Sequence, residues 1–286
     1  MDNMRHSWTH HHESGQILLI TLLVLTIATT VVLSLIGRTT TDVSISNQIA
    51  ESSRAFSAAE AGIEASLKSG TTGVQTLSGA TSFDVQRADI GNAAGIYQFP
   101  KKVVKGTTET LWLVDHNANG SLDEHPTFTA SSLDLCWSSE STIPAMEVTV
   151  LYKTAPPTSE YRVAKGAYDP DPDGARRSAN NFSTVTAATG GCGVGTNTTY
   201  RQRITFGSFF PVIDPTSDTL LMLRVQPVYS DAAIVVSTVA PLPLQGTQIT
   251  STGSSGTGVS RKIVVFQQFR SPPSIFDSVI YSQGSF

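Results

Sequence analysis

The feature that most constrains this chain is an uncharged apolar run near its beginning. The stretch GQILLITLLVLTIATTVVLSLIGR runs from Gly15 to Arg38, and its part from Ile17 to Ile36 contains 20 residues without a charge. As a helix that rises about 1.5 Å per residue, this part is about 30 Å long, which is the thickness of the hydrocarbon core of a bilayer. The run therefore predicts a helix that can cross a membrane.

Two other interpretations of the run are weaker. A secretory signal has an apolar core of about 7–15 residues that ends at a small-residue cleavage site, whereas here the run continues into a further helical stretch without one. A buried helix of a soluble enzyme would need a large domain wrapped around all its sides. The sequence therefore favours a membrane anchor that is retained.

The residues that follow the run keep a helical period. Apolar side chains recur there at intervals of four and seven and form one stripe: Ile45, Ile49, Phe56, Ile63 and Leu67. Lys68 and Gly70 then give the chain an ordinary helix end. The sequence predicts one long helix over residues 16–70, apolar first and amphipathic second, with a weak joint at Gly37.

The remaining residues, 71–286, have the composition of an exported β-domain. They are rich in Ser, Thr, Gly and Pro and contain both cysteines of the chain. Short β-branched and aromatic runs are separated by turn residues: TLWLVDH, AMEVTVLYK, YRVAKGAYD, YRQRITFGSFF, LLMLRVQPV, AAIVVST and RKIVVFQQF. The low-complexity stretch from Pro241 to Ser260 is predicted to be a long loop. The predicted fold class is α+β, in which a long N-terminal helix packs its apolar stripe on an antiparallel sheet or sandwich.

The predicted helix ends with the sequence AFSAAEAGIEASL. Together with the preceding anchor, this run resembles the N-terminal region of type IV pilin-like proteins, and most closely that of PilX-type minor pilins. The resemblance covers residues 15–68, about a fifth of the chain. It implies that a prepilin peptidase cleaves after Gly15, which makes residues 1–15 a leader peptide and Gln16 the first residue of the mature protein.

Two positions depart from the pattern of the major subunits of that family. Those subunits usually have Phe at the first mature position and Glu at the fifth, whereas this chain has Gln16 and Ile20. In the family the glutamate neutralises the N-terminal ammonium of a neighbouring subunit inside the apolar filament core, where an unpaired charge is costly. The departure implies a minor or tip-located subunit.

The resemblance also implies where such a subunit resides. It would be a single-pass protein of the cytoplasmic membrane before assembly, with its exported domain periplasmic or extracellular, and part of a cell-surface pilus afterwards. Its partners would be other pilin subunits, the prepilin peptidase, the pilus assembly machinery and the membrane.

The first candidate metal site is the sequence DHNANGSLDE. Its oxygen-bearing side chains have the spacing of an EF-hand calcium loop, with positions 1, 3, 5 and 9 held by Asp115, Asn117, Asn119 and Asp123. Position 12, which carries a bidentate glutamate in such loops, is Pro126. The alternative is a β-hairpin closed by a turn at Asn119 and Gly120. The sequence leaves both interpretations open.

The second candidate metal site is YDPDPDGARR, in which Asp169, Asp171 and Asp173 stand at alternate positions. Three carboxylates within five residues repel one another unless a cation lies among them, which favours calcium. Arg176 and Arg177 provide the alternative, because their guanidinium groups balance the same charge without a metal.

The two cysteines, Cys136 and Cys192, predict a disulfide. In an exported protein an even number of cysteines favours a bond, and closing a loop of this length stabilises the folded state by about 4 kcal/mol in the chain-entropy treatment. A catalytic cysteine is the weaker interpretation, since no histidine is near Cys192 in the sequence.

Charge and motifs argue against catalysis and nucleic-acid binding. The chain has a formal net charge of −4 and no long basic stripe. It contains no G-x-S-x-G, H-E-x-x-H or P-loop motif. The two histidines that follow the leader are His116 and His125, and a hydrolase built around His116 is the weakest alternative.

The sequence therefore predicts a pilin-like structural subunit that is not an enzyme and does not bind nucleic acid. The alternative from a different class is a surface binding module or adhesin that stays anchored in the membrane and has loops stabilised by calcium. The two functions differ in whether the chain is cleaved after Gly15.

Overall fold

A computed structural model describes residues 14–117 and 119–273. Within this range the architecture is α+β, as the sequence predicts, with one long helix followed by three antiparallel sheets of four strands each. The first 13 residues of the predicted leader lie outside the described residues.

The long helix α1, Ser14–Ser69, passes through Gly37 without interruption. Threonine hydroxyls beyond this glycine donate to carbonyls one turn back, as Thr41 Oγ1 does to the carbonyl oxygen of Gly37 at 3.0 Å. These bonds keep β-branched residues within the helix. The predicted helix end is confirmed: Gly70 has a φ of 70° and donates its N–H to the carbonyl oxygen of Ser66 at 2.9 Å, a left-handed cap that favours glycine.

Twelve strands follow in the described part of the chain. Their bounds are β1 Gly73–Thr76, β2 Ser82–Gly91, β3 Gly95–Gln98, β4 Glu109–Trp112, β5 Ser132–Trp137, β6 Ala145–Lys153, β7 Tyr161–Tyr168, β8 Tyr200–Thr205, β9 Thr219–Val228, β10 Ile234–Thr238, β11 Leu244–Ser254 and β12 Ser260–Gln268. A short helix, α2 Gly174–Asn180, lies between β7 and β8. The strand orders are β1-β2-β11-β12, β3-β10-β5-β8 and β4-β9-β6-β7. Each of the seven predicted runs contains a strand.

The chain divides into two compact units. Of the described residues, the first unit comprises residues 14–85 and Ser251–Ile263, and the second comprises residues 86–117, 119–250 and 264–273. In the second unit, alternate residues of the strands supply one large apolar core, to which both of its sheets contribute. On β5, for example, Leu133, Leu135 and Trp137 are all buried in this core, as period-two alternation in a half-buried strand requires.

In the first unit, small side chains form the buried face of α1. Ala55 and Ala59 are 0% exposed and Ala58 is 2% exposed. A Cβ atom on Gly253 of β11 would lie 2.0 Å from the carbonyl oxygen of Ala55, and one on Gly62 would lie 2.3 Å from Ser251 Oγ. The helix backbone therefore lies directly against strand residues, with no room for a larger side chain at the contact.

The apolar stripe of α1 is not the face that packs on the sheet, so this part of the prediction is wrong. Ile45, Ile49, Phe56 and Leu67 are 50%, 65%, 48% and 48% exposed, and only Ile63 of the stripe is buried. The physical reason is distance, because bulky side chains would hold the helix away from a strand that approaches to backbone contact. Hydrophobic periodicity identified an apolar face, but the residues that allow close approach are small.

The low-complexity stretch from Pro241 to Ser260 was predicted to be a loop, and this is also wrong. It contains β11, in which Ile249, Ser251 and Gly253 are buried at alternate positions. The side chain of Gln245 accepts from the backbone N–H of Trp112 and donates to its carbonyl oxygen, both at 2.8 Å. A strand can be built from Ser, Thr and Gly when its buried face needs small residues.

Candidate functional site

The first half of α1 is exposed apolar surface. The helix is long and apolar enough to cross a membrane, and none of its most apolar part is buried in the described protein. Leu18 and Leu25, for example, are 71% and 66% exposed. Such a surface is unfavourable in water at about 25 cal/mol per Å², so it requires a cover of lipid or of other apolar helices.

Hydroxyl groups inside this apolar segment are satisfied by the helix itself. Thr21 Oγ1 donates to the carbonyl oxygen of Leu18 at 2.9 Å, and Thr26 Oγ1 donates to that of Leu23 at 2.8 Å. Thr30 makes the same kind of bond. Because each of these threonine hydroxyls already has an acceptor, the threonines enter hydrocarbon without an unpaired donor.

The predicted processing positions lie in the first turn of this helix. Gly15 and Gln16 are both helical, and Gln16 is exposed. Ile20, where the resemblance leads one to expect glutamate, is 52% exposed. An apolar side chain at this position continues the uncharged surface of the anchor.

The second half of α1 carries an open groove along its uncovered side. The groove has a volume of about 560 Å³ and is lined by Phe56, Glu60, Ile63, Glu64, Leu67, Lys68 and Ile263. Its apolar members continue the exposed stripe, while its charged members follow one another at helical spacing. Apolar surface of α1 therefore extends from the anchor to the end of the helix.

The first candidate calcium loop forms a hairpin. His116 and Leu122 form an antiparallel bridge, Asn117 N–H donates to Ser121 O, and Gly120 N–H donates to Asn117 O, both at 2.8 Å. Three of the predicted ligands have side-chain partners within the loop, and the first of them, Asn117, donates from Nδ2 to Ser121 Oγ at 3.1 Å. Asn119 Oδ1 accepts from the Ser121 hydroxyl at 2.7 Å, and Asp123 Oδ1 lies 2.5 Å from His125 Nδ1.

The remaining ligand of that loop, Asp115, stands at its base. Its carbonyl oxygen accepts from the N–H of Asp123 at 2.8 Å, so the backbone of the loop closes on itself. An ion bound here would have to compete with the bonds that Ser121 and His125 make to the loop. The sequence-based calcium hypothesis for this loop stays a prediction.

The second candidate calcium loop is closed by arginine. Asp169 is fully buried, and Arg176 donates to both of its carboxylate oxygens, with Nε 2.8 Å from Oδ2. Arg176 Nη1 is also 3.0 Å from Asp171 Oδ2, and its guanidinium lies 4.5 Å from the ring centroid of Tyr229. The arginine thus occupies the place between the carboxylates that the metal interpretation assigns to a cation.

The third carboxylate of this loop has a structural role. Asp173 is the N-cap of α2, and its Oδ1 accepts from the N–H of Ala175 at 3.0 Å, which satisfies one of the free donors of the first turn. Burial alone would raise the pKa of Asp169, but hydrogen bonds from Arg176, from the Asp171 N–H and from Asn180 lower it overall. Among the described residues, no three His, Cys, Asp or Glu side chains are grouped to hold a metal ion.

The predicted disulfide between Cys136 and Cys192 is confirmed. The two Cα atoms are 5.7 Å apart, and the bond joins residues separated by 56 positions. Cys136 is buried on β5, and Cys192 lies in a glycine-rich loop. The bond therefore attaches that loop to the sheet.

The small-residue face of α1 is the structural feature that sequence reasoning missed. Its members repeat at helical spacing within the run that carries the pilin resemblance: Ala55, Ala58, Ala59, Gly62 and Ser66. A search for small rather than apolar residues at intervals of three and four would have found this face. Comparison with known proteins gives no further assignment, since no protein-family model, no curated protein and no solved structure matches the chain significantly.

Proposed function

We propose that this protein is a pilin-like structural subunit of a type IV pilus or a related filament, located at a minor or tip position. One observation carries the proposal. α1 has a small-residue face that contacts the protein's own strand β11, and a separate apolar surface that the described chain leaves uncovered. A subunit that first sits in a bilayer and then packs against other helices needs both.

The apolar surface of α1 favours the view that the surroundings of this helix change during the life of the protein, from lipid to other helices. From Ile17 to Ile36 the exposed side chains match hydrocarbon, and the threonine hydroxyls have acceptors in the helix. Beyond Arg38 the exposed stripe is interrupted by charged residues, so it suits contact with another protein rather than with lipid. Membrane insertion followed by helix packing between subunits accounts for both segments.

The partners of such a subunit are other pilin subunits, the prepilin peptidase, the assembly machinery and the cytoplasmic membrane. The exported β-rich part then lies in the periplasm or outside the cell. Gln16 and Ile20 favour the minor or tip class, because a subunit without the fifth-position glutamate does not neutralise the terminal ammonium of a neighbour. No chemistry is assigned to the protein.

The test is the N-terminus of the mature protein. We expect mass spectrometry of protein from membranes and from sheared filaments to give a chain that begins at Gln16. Gly15→Leu should leave the leader attached, because the peptidase requires a small residue before the cleaved bond. Gly37→Leu is the matched control, since a Cβ atom there would meet no atom within 4 Å, and this variant should be processed normally.

The same experiment separates the two functions. Recovery from filaments of a chain that begins at Met1 contradicts the pilin assignment. An uncleaved chain found in membranes and never in filaments supports the permanently anchored binding module instead.

A further inference from the structure

The outer face of one sheet in the second unit carries a row of polar side chains. In β5, Asp134 is the cross-strand partner of Ser237 on β10 and of Arg203 on β8. Two residues further along, Cys136 is the partner of Arg201. Residues at alternate positions share a face, so these side chains lie opposite the leucines that β5 contributes to the core.

A loop attached by the disulfide lies at this polar face. Cys192 joins it to Cys136, and the glycines on either side, Gly191 and Gly193, have φ values of 46° and 106°. A Cβ atom at Gly191 would lie 2.2 Å from Thr198 Oγ1. The positive φ of both residues favours glycine, and the crowding at Gly191 requires it, so the loop has a defined path rather than an arbitrary one.

The loop and the sheet together line an open cavity of about 330 Å³. Its lining is formed by Asp134, Thr189, Gly190, Gly191, Cys192, Gly193, Arg201 and Ser237. All of these residues belong to the second unit. At about 30 Å³ per water, the volume corresponds to about 11 waters, and it falls within the range of small-ligand pockets.

The charges of the cavity are not balanced. Asp134 is already paired, because Arg203 Nε and Nη2 lie 2.9 and 3.1 Å from its two carboxylate oxygens. Arg201 has no such partner, and its buried Nε–H has no acceptor among the described residues. The side chain as a whole is only half-buried and lines the cavity, so the guanidinium has no counter-charge in the described protein and can take one from outside the chain.

We propose that this cavity binds the carboxylate group of a small ligand and that Arg201 is its binding residue. A planar guanidinium presents parallel N–H donors that match the two oxygens of a carboxylate. The hydroxyls of Ser237 and Thr189 line the same space and suit the polar remainder of a ligand of sugar or amino-acid size. The glycine backbone lets such a ligand approach closely.

The cavity selects a single negative charge. Arg201 is its one unbalanced cation among the lining residues, and the Asp134 carboxylate stands in the same wall. A second charge on the ligand would face that carboxylate at close range, which is repulsive. Uronic acids and the C-termini of peptides carry the required monoanion, whereas inorganic phosphate at neutral pH carries more charge.

Ligand-observed saturation-transfer NMR on the full chain in detergent micelles tests this binding. The probes are glucuronate, its neutral counterpart glucose, N-acetylalanine and inorganic phosphate. We expect saturable binding of the two carboxylates and none of glucose or phosphate. The tighter of the two carboxylates identifies a sugar or a peptide as the source of the group.

Two substitutions connect the binding to Arg201. Arg201→Gln should weaken carboxylate binding at least tenfold, and Arg201→Lys should keep part of it, because the charge remains while the two-pronged geometry is lost. Arg162→Gln is the matched control, since Arg162 is an exposed arginine of β7 paired with Glu160, and it should bind as the wild type does. Absence of carboxylate binding by the wild type, or equal binding by Arg201→Gln and the wild type, overturns the proposal. In that event the unmet donor of Arg201 holds water only.

Discussion

The imidazole ring of His116 lies parallel to the phenyl ring of Phe269, with the two ring centroids 3.7 Å apart. The indole of Trp112 meets the same imidazole edge-on at 4.6 Å. His116 Nδ1 is buried and has no hydrogen-bond partner among the described residues. Burial lowers the pKa of His116, against the opposing charge of Asp115. The folded protein therefore favours the neutral ring.

We expect the stability of the second unit to depend on pH through His116. Because the folded-state pKa lies below the ordinary value of 6.5, the unfolded chain binds the proton first. The neutral His116 therefore contributes its full stabilisation of the folded state above about pH 6.5, and this contribution is lost as the pH falls through the lower folded-state pKa. The measurement is a thermal melt of the full chain, followed by tryptophan fluorescence, at pH 7.5 and 5.5.

The control for this prediction is His116→Phe, which keeps an aromatic ring in the stack but cannot be protonated. The loss of melting temperature between the two pH values should be smaller in this variant than in the wild type. An identical loss in both proteins would assign the pH dependence to other groups.

Because Gly253 lies against the backbone of Ala55, we expect even the substitution of Gly253 by alanine to lower the stability of the protein. Gly253→Ala places a methyl group within van der Waals overlap of the α1 backbone, and overpacking of this kind costs about 1–3 kcal/mol. Gly207→Ala is the control, because a Cβ atom there has no neighbour within 4 Å. Denaturant unfolding of the two variants should differ by at least 1 kcal/mol, and equal stability would show that helix and strand separate at little cost.

The ion pair of Asp169 with Arg176 predicts that the acidic loop is structural. Asp169→Asn removes the charge but keeps the shape, and it leaves the guanidinium without its buried partner. Breaking a buried pair in this way costs about 3 kcal/mol. The pKa of Asp169 is lowered in the folded state. The ion pair therefore stabilises the wild type fully at pH values above the ordinary pKa of aspartate, and this stabilisation is lost as the pH falls through the lowered pKa. Denaturant unfolding at pH 7 measures the difference, and a loss below 0.5 kcal/mol would contradict it.

Calcium is predicted to act through the Asp115 loop and not through the Asp169 loop. We expect millimolar calcium to raise the melting temperature of the full chain, since an ion held by the folded state alone stabilises it by mass action. Asp115→Ala should abolish this response and Asp171→Ala should keep it, because Arg176 already neutralises Asp171. If chelator and calcium give the same melting temperature for the wild type, both loops are ordinary turns.

The sequence predicts the features that rest on strong local signals. The end of α1 at Gly70, the strands rich in β-branched residues and the pairing of Cys136 with Cys192 all carry such signals, and all are present. β11 carries none, because Ser, Thr and Gly give no hydrophobic alternation. β11 is a strand because it pairs with β2 and β12, and both its pairing with β2 and the bonds of Gln245 to the backbone of Trp112 join residues that are far apart in the sequence.

The candidate sites show the same difference between features with a local sequence signal and features without one. Spacing alone identified the carboxylates of the acidic loop, but whether a metal or Arg176 neutralises them depends on the conformation of α2, which spacing does not contain. Arg201 carries no local signal at all. Its unmet donor becomes visible only when β8 is paired with β5 and the loop of Cys192 is attached above it.

The two faces of α1 draw on separate sets of residues. Ala55 and Ala59 hold the helix to its own strand, whereas Ile45 and Ile49 contribute nothing to that contact. We therefore expect mutations of Ile45 and Ile49 to leave the folding of the individual molecule unchanged. Evolution can therefore change the proteins that bind this face of the helix without changing the fold of the monomer. Related proteins can then differ in their binding partners while they share one architecture.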